Sequence, residues 1–360
     1  MLELLTKKIN FKILAPATII FILGFISIVS TTQGLAENHL TYFLIGLVIF
    51  SILQYIDIPF FIKYSFYFYF LVGGLLLLIF VIGHTALGAS RWLKIGELSL
   101  QPSEMAKIAV IFIVTKLLIE DVPLKFYKFS ITNKFLKTFL ITLPLVFMVL
   151  IQPDLGTTIS IFLIYLGMIS ISTFKKIWFV VIFAFVSIAS TPIYNSLQDY
   201  QKDRIVIFMN PESDPYGSGY NTIQARIAVG SGGLLGKGYK QGTQTQLNFL
   251  PIFWTDFLVA TFAEEWGLVG LLFLITTYLF LIYEIFSVFI RSTDPAYKYF
   301  SFSILVYFST QFLINFGMNI GVLPVTGIPI PLFSYGGTSL VSSFILLGII
   351  NKISVDKSKI

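Results

Sequence analysis

The sequence contains no cysteine, which excludes disulfides, thiolate metal sites and a cysteine nucleophile. Histidine is nearly absent too. His39 and His84 are the only two, too few for a multi-histidine metal centre. Charge is scarce: 12% of the 360 residues are Asp, Glu, Lys or Arg, against about 25% in an average soluble domain. What fills the space is apolar, at 56% of the chain, and it falls into runs of about 20 residues that suit a bilayer. The chain therefore reads as all-α and polytopic, with residues 1–360 forming one integral membrane domain. The net charge of +6 does not argue for nucleic acid, because the basic residues are distributed as membrane topology requires.

About ten transmembrane helices can be drawn, near 13–31, 39–56, 64–83, 101–119, 136–152, 155–173, 177–197, 255–289, 298–318 and 332–351. The first follows Lys7, Lys8 and Lys12. It is too long for a signal-peptide core and lacks an A-x-A site, so it reads as a retained helix. The eighth is too long for an upright span and is expected to tilt or to project beyond the membrane. With both termini in the cytoplasm, most lysines and arginines fall on the cytoplasmic side, among them Lys63, Lys116, Arg291 and Lys352. A large extracytoplasmic loop, 198–254, then separates the seventh and eighth helices. The turns near 84–100, 152–157 and 319–331 face the same way, and the informative polar residues gather there.

Five stretches carry candidate chemistry. Residues 255–270 bring Asp256, Glu264 and Glu265 into an apolar segment. A charge at mid-membrane costs about 2.5–3.5 kcal/mol on insertion scales, so such acids face a bundle interior or a wet cavity. Asp256 reads as the working residue, where a hydrated loop meets the membrane. On an ideal helix Glu264 lies about 12 Å deeper and Glu265 points nearly opposite Asp256. Either deep acid can equally serve to order neighbouring helices. In the second stretch, 84–107, Arg91, Trp92 and Lys94 suit an interfacial belt. Glu104 and Lys107 share a helix face at i, i+3, and such a pair should line a cavity rather than meet lipid.

The third stretch, Gln152–Thr158, is broken by Pro153 and Gly156, and Asp154 can cap the following helix, face a ligand, or do both. In the fourth, Gly230–Gly238, a phosphate-binding loop is suggested but fails, since Ser231 replaces the first required glycine and Gly238 follows Lys237. Its glycines with Lys237 and Lys240 can still approach a phosphate-bearing ligand, and a merely flexible loop is the plainer reading. The fifth stretch, Val322–Thr338, holds Pro324, Pro329 and Pro331, which exclude regular helix. It reads as a re-entrant wall of an outward cavity or as an ordinary outer loop.

Together these stretches resemble the SEDS family of RodA, FtsW and their sporulation relatives. The carriers are RW-x-x-x-G-x-x-x-x-QPSE-x-x-K, QPDLGT, GSGGL-x-GKG, FLP-x-x-x-TDF with EE-x-G following, and P-x-PL-x-SYGGTS, in family order. The last of these, with the short N-terminal tail, is most similar to the RodA branch. In one place the chain departs: Ile252, Phe253 and Trp254 stand where the family usually has Glu and His.

The resemblance implies a SEDS-type fold and a peptidoglycan glycosyltransferase in the bacterial inner membrane. It would polymerise lipid II into glycan strands at the outer face during cell elongation, with a class B penicillin-binding protein as partner. Asp256 matches the family's essential acid and would act as base. Arg91, Glu104, Lys107, Asp154, Arg226 and Lys237 are the substrate-binding candidates. The inverting reaction would release undecaprenyl pyrophosphate, whose charge the basic residues or a divalent metal (Mg or Mn) would meet. A lipid II flippase or transporter is the alternative, since broken helices and intramembrane charges also mark transporters. A scaffold for a partner synthase is a third.

Overall fold

The computed structural model describes residues 8–86, 89–96, 98–120, 124–126, 129–131, 133–172, 194–195, 199–217, 219–247, 249–250 and 253–356. In chain order its elements are α1 (Phe11–Thr31), α2 (Gln33–Leu53), α3 (Ile58–Ile82), the antiparallel strands β1 (His84–Ala86), β2 (Ala89–Ile95) and β3 (Leu98–Leu100), α4 (Pro102–Ile119), the hairpin β4 (Leu124–Phe126) and β5 (Phe129–Ile131), α5 (Lys134–Ile151) and α6 (Leu155–Ser170). After these come α7 (Asp199–Met209), α8 (Tyr220–Ser231), α9 (Thr243–Gln246), α10 (Leu258–Arg291), α11 (Pro295–Asn319) and α12 (Gly337–Val355). Every expected span except the seventh coincides with a helix. The seventh, 177–197, lies outside the described residues apart from Tyr194 and Asn195. The two small sheets are an addition to the all-α expectation, and they occupy segments read as loops.

Local chemistry explains the helix starts. Asn10, Asn133, Asp154 and Asp294 each accept backbone N–H bonds from the first turn of α1, α5, α6 and α11. Proline opens α4 and α11, where its missing N–H is no loss. Among the described residues seven helices, α1, α2, α3, α5, α10, α11 and α12, are long and apolar enough to cross a membrane. Helix α4 is the exception that proves informative. It carries Glu104, Lys107 and Lys116, yet most of its length is buried, so its charges meet protein rather than lipid.

From α1 to α6, and again from α10 to α12, successive helices alternate in direction. At one end Asn10 donates its backbone N–H to Asn351 (2.7 Å), and Lys352 pairs with Asp57 (3.0 Å), joining the start of α1 and the entry to α3 with the end of α12. At the other end the last turns of α1 and α11 meet the first turns of α2, α4, α6 and α12. All five motif stretches converge on this second end.

Helix α10 is not one long tilted rod. Gly267 (φ 64, ψ −163) breaks it, and from Leu268 to Arg291 about 36 Å of helix remain, enough for a core of about 30 Å. The break frees backbone groups that cannot be left bare away from water. The Gly230–Gly238 loop takes them up. Lys237 N–H donates to the Glu264 carbonyl (2.9 Å) and Gly238 N–H to that of Glu265 (3.0 Å). In return Leu268 and Val269 N–H donate to the carbonyls of Gly233 (2.9 Å) and Leu234 (3.1 Å). The fit leaves no room for a side chain at Gly236, where a Cβ would lie 2.1 Å from the Glu265 carbonyl oxygen. This corrects the flexible-loop reading.

Candidate functional site

Asp256 lies in a turn two residues before α10 and is half-buried. Its backbone is held from α11. Asn319 Nδ2 donates to the Asp256 carbonyl (2.9 Å), Asn315 Nδ2 does the same at 3.2 Å, and Ala260 N–H donates back to Asn319 Oδ1 (3.1 Å). Both asparagines are fully buried and lie one helical turn apart. Asn315 also donates to the Ile328 carbonyl (2.6 Å), so the same side chain holds the Pro-rich segment.

That segment, from Ile320 to Gly336, is a strap of non-helical backbone whose Ile328, Ile330, Leu332 and Phe333 are buried. It joins the two halves of the motif cluster. Tyr335 N–H donates to the Trp254 carbonyl (3.0 Å), two residues from Asp256. Just past the strap, Thr338 Oγ1 accepts from Gln101 N–H (2.8 Å) at the start of α4. Gln101 Nε2 and Ser103 Oγ both donate to Asp154 Oδ2 (3.2 Å each), while Asp154 Oδ1 caps α6 through Thr157 N–H (3.1 Å). Asp154 is thus both cap and network member. Gly156 lets the strap pass: a Cβ there would lie 2.5 Å from the Thr326 carbonyl oxygen.

The four candidate cations divide into two kinds. Lys107 Nζ donates to Glu104 Oε1 (2.7 Å), fully buried and 5.2 Å from the centre of the Tyr307 ring. Lys237 Nζ pairs with Glu264 Oε1 (2.6 Å) and donates to Thr243 Oγ1 (2.8 Å). Both lysines are thereby neutralised. Arg91 donates instead to the carbonyls of Gln152 (3.0 Å) and Pro153, and Arg226 to that of Gly321 (3.0 Å). A carbonyl holds a guanidinium in place without cancelling its charge. Arg91 therefore anchors the QPDLGT turn rather than simply marking an interface, and Arg226, exposed on α8, reaches the end of α11.

For Glu264 and Glu265 the reading that they order neighbouring elements holds, and their expected depth is corrected. Neither faces a wet interior at mid-depth. Glu264 accepts from Lys237, Thr243 (3.0 Å) and Gln244 N–H (3.1 Å); Glu265 accepts from Ser30 in the last turn of α1 and from Lys240 N–H (3.2 Å). Their partners belong to the loop and to helix ends, so both acids lie at the motif end and order it. Lys237 accordingly pairs with Glu264 while its side chain stays partly exposed. Ile252 is outside the described residues, but Phe253 and Trp254 pack edge to face (4.9 Å), and Phe253 joins Ala225, Ala228 and Phe257 in a small apolar cluster. The departure from the family pattern substitutes packing against α8 for polar groups.

Sequence reasoning missed Asn315, Asn319 and Thr338. The available signal was two amides spaced i, i+4 within a span, since buried amides need partners.

Fold and site define a polytopic helical membrane protein that collects its polar chemistry at one end of the bundle, under a strap of broken backbone. Residues 10–359 match the FtsW/RodA/SpoVE family, described as cell cycle protein, and the chain belongs to that family. Peptidoglycan glycosyltransferase MrdB of Escherichia coli is 37% identical over 323 residues, covering 89% of this chain and 85% of the relative. MrdB of Helicobacter pylori is 35% identical over 338 residues (93% and 87%). A probable peptidoglycan glycosyltransferase FtsW from Wigglesworthia glossinidia brevipalpis is 33% identical over 324 residues (88% and 82%). Among solved structures, a chain from work described as "Structural coordination of polymerization and crosslinking by a peptidoglycan synthase complex" superposes with a TM-score of 0.81 at 25% identity, covering 97% of this chain and 99% of that one. The rod shape determining protein RodA of Thermus thermophilus superposes at 0.71 with 24% identity, over 98% of each chain.

Proposed function

We propose that this chain is a peptidoglycan glycosyltransferase that polymerises lipid II into glycan strands at the outer face of the bacterial inner membrane. The observation that carries it is the Asp256 turn, clamped by two buried asparagines and joined through the strap to Asp154 and Arg91. The names of the MrdB and FtsW relatives support the reaction, and the higher identity to MrdB supports the RodA branch and a part in elongation.

The chemistry assigns roles as follows. The Asp256 carboxylate takes the proton from an acceptor sugar hydroxyl as that oxygen bonds to the anomeric carbon of the donor. The bond from that carbon to the undecaprenyl pyrophosphate breaks on the opposite face, so configuration inverts. Arg91 and Arg226, which keep their full charge, meet the departing pyrophosphate. The Glu104–Lys107 pair is buried, and Glu104 Oε2 has no hydrogen-bond partner among the described residues, so a polar group of the substrate that reached it would find an acceptor. Among the described residues no three histidines or acids converge, so a divalent Mg or Mn would rest on at most two such side chains and the substrate's own phosphates, and no step is assigned to it. Both termini lie in the cytoplasm in this reading, and a class B penicillin-binding protein would take the nascent strand.

Purified protein in vesicles containing lipid II decides between polymerase and flippase. Polymer longer than the substrate disaccharide, formed without a second protein's active site, is the expected product. Transfer of lipid II between leaflets with no polymer would replace this reading by the flippase.

A further inference from the structure

The loop 230–238 presents two leucines where a hydrated loop should have none. Leu234 and Leu235 are 69% and 81% exposed. They are not on a mobile tip, because the backbone bonds to α10 and the close glycine contacts described above fix the loop. Leu234 bonds directly to Val269, and the surface there continues along α10 through Leu268, Val269, Leu272 and Phe273, all exposed apolar residues on a helix long enough to cross a membrane. Around the pair lie Trp266 at the break and Tyr239 beside Lys240, whose Nζ is 5.6 Å from the Tyr239 ring centre. Aromatic and basic residues of this kind mark the headgroup level of a bilayer.

We infer that Leu234 and Leu235 form a ledge inserted into the acyl-chain region beside α10, making the glycine loop a membrane anchor rather than part of the aqueous loop. The occupant is bulk lipid. A rigid, exposed leucine pair continuous with a membrane-crossing surface fits acyl chains, and the flanking Trp266, Tyr239 and Lys240 fit the headgroups above them. The ledge then fixes the depth of the loop, and with it the Glu264–Lys237 pair at the membrane boundary.

The absence of native cysteine makes the test direct. Single-cysteine variants Leu234→Cys and Leu235→Cys, labelled with a polarity-sensitive fluorophore in vesicles at low protein density, are compared with Leu272→Cys on the face of α10 and Tyr216→Cys in the aqueous loop. Expected at the ledge are blue-shifted emission and quenching by doxyl-labelled lipid, as at Leu272, with little quenching by aqueous iodide. Water-like emission with iodide quenching, as at Tyr216, would overturn the inference. Shielding from both quenchers would overturn it too, by showing that protein covers the pair.

Discussion

A single side chain can set the position of a carboxylate by holding only its backbone, and Asn319 does so for Asp256, the proposed base. Its amide satisfies the half-buried Asp256 carbonyl and the buried Ala260 N–H together. Replacing it by alanine orphans the Ala260 N–H, at about 1–3 kcal/mol, and leaves the Asp256 carbonyl held by Asn315 alone. We expect Asn319→Ala to lower the thermal midpoint in detergent and to reduce kcat more than KM, because the cations proposed to meet the substrate are untouched. An unchanged kcat in a folded variant would remove Asn319 from the positioning of Asp256. Asp256 and Asp154 were legible in the sequence, because an acid beside an apolar run is conspicuous. Asn319 was not, because an amide reveals its purpose only through a partner about 60 residues away.

At the scale of the element, the broken α10 and the glycine loop form one unit. The sequence suggested a long helix, since no proline interrupts 258–291, and helical patterning does not reveal a break made by one glycine in a left-handed conformation. The long-range bonds that fill the break come from residues more than 25 positions earlier. Inside this unit Glu264 depends on Lys237. Lys237→Ala leaves the buried Glu264 carboxylate without its counter-charge; removing one partner of a fully buried pair costs about 3–5 kcal/mol, and the partial exposure of Lys237 with the remaining bonds from Thr243 and Gln244 puts the loss below that. Lys237→Ala with Glu264→Gln should recover much of that loss, since the charge is gone while the amide can still accept from Gln244. Thermal unfolding of the two variants checks this. If the double variant were as unstable as the single one, the pair would not be what holds the loop.

For the whole molecule, the span map was legible because bilayer thickness dictates helix length and composition. Depth within the bundle was not. The sequence set Glu264 and Glu265 below Asp256, whereas the break and the last turn of α1 bring all three to one end. The gathering of motifs from stretches as distant as Arg91 and Thr338 rests on the strap, whose contacts are mostly with backbone and so carry little residue signature. The claim that unites these scales is that this end of the bundle delivers a carboxylate, Asp256, to a sugar hydroxyl.

Its most direct test is the rate of glycan polymerisation by Asp256→Asn in vesicles containing lipid II, with circular dichroism and thermal midpoint matching the unchanged protein. Losing a general base should lower the rate by about 10²–10⁴-fold. A folded Asp256→Asn protein that polymerises at the original rate would contradict the account.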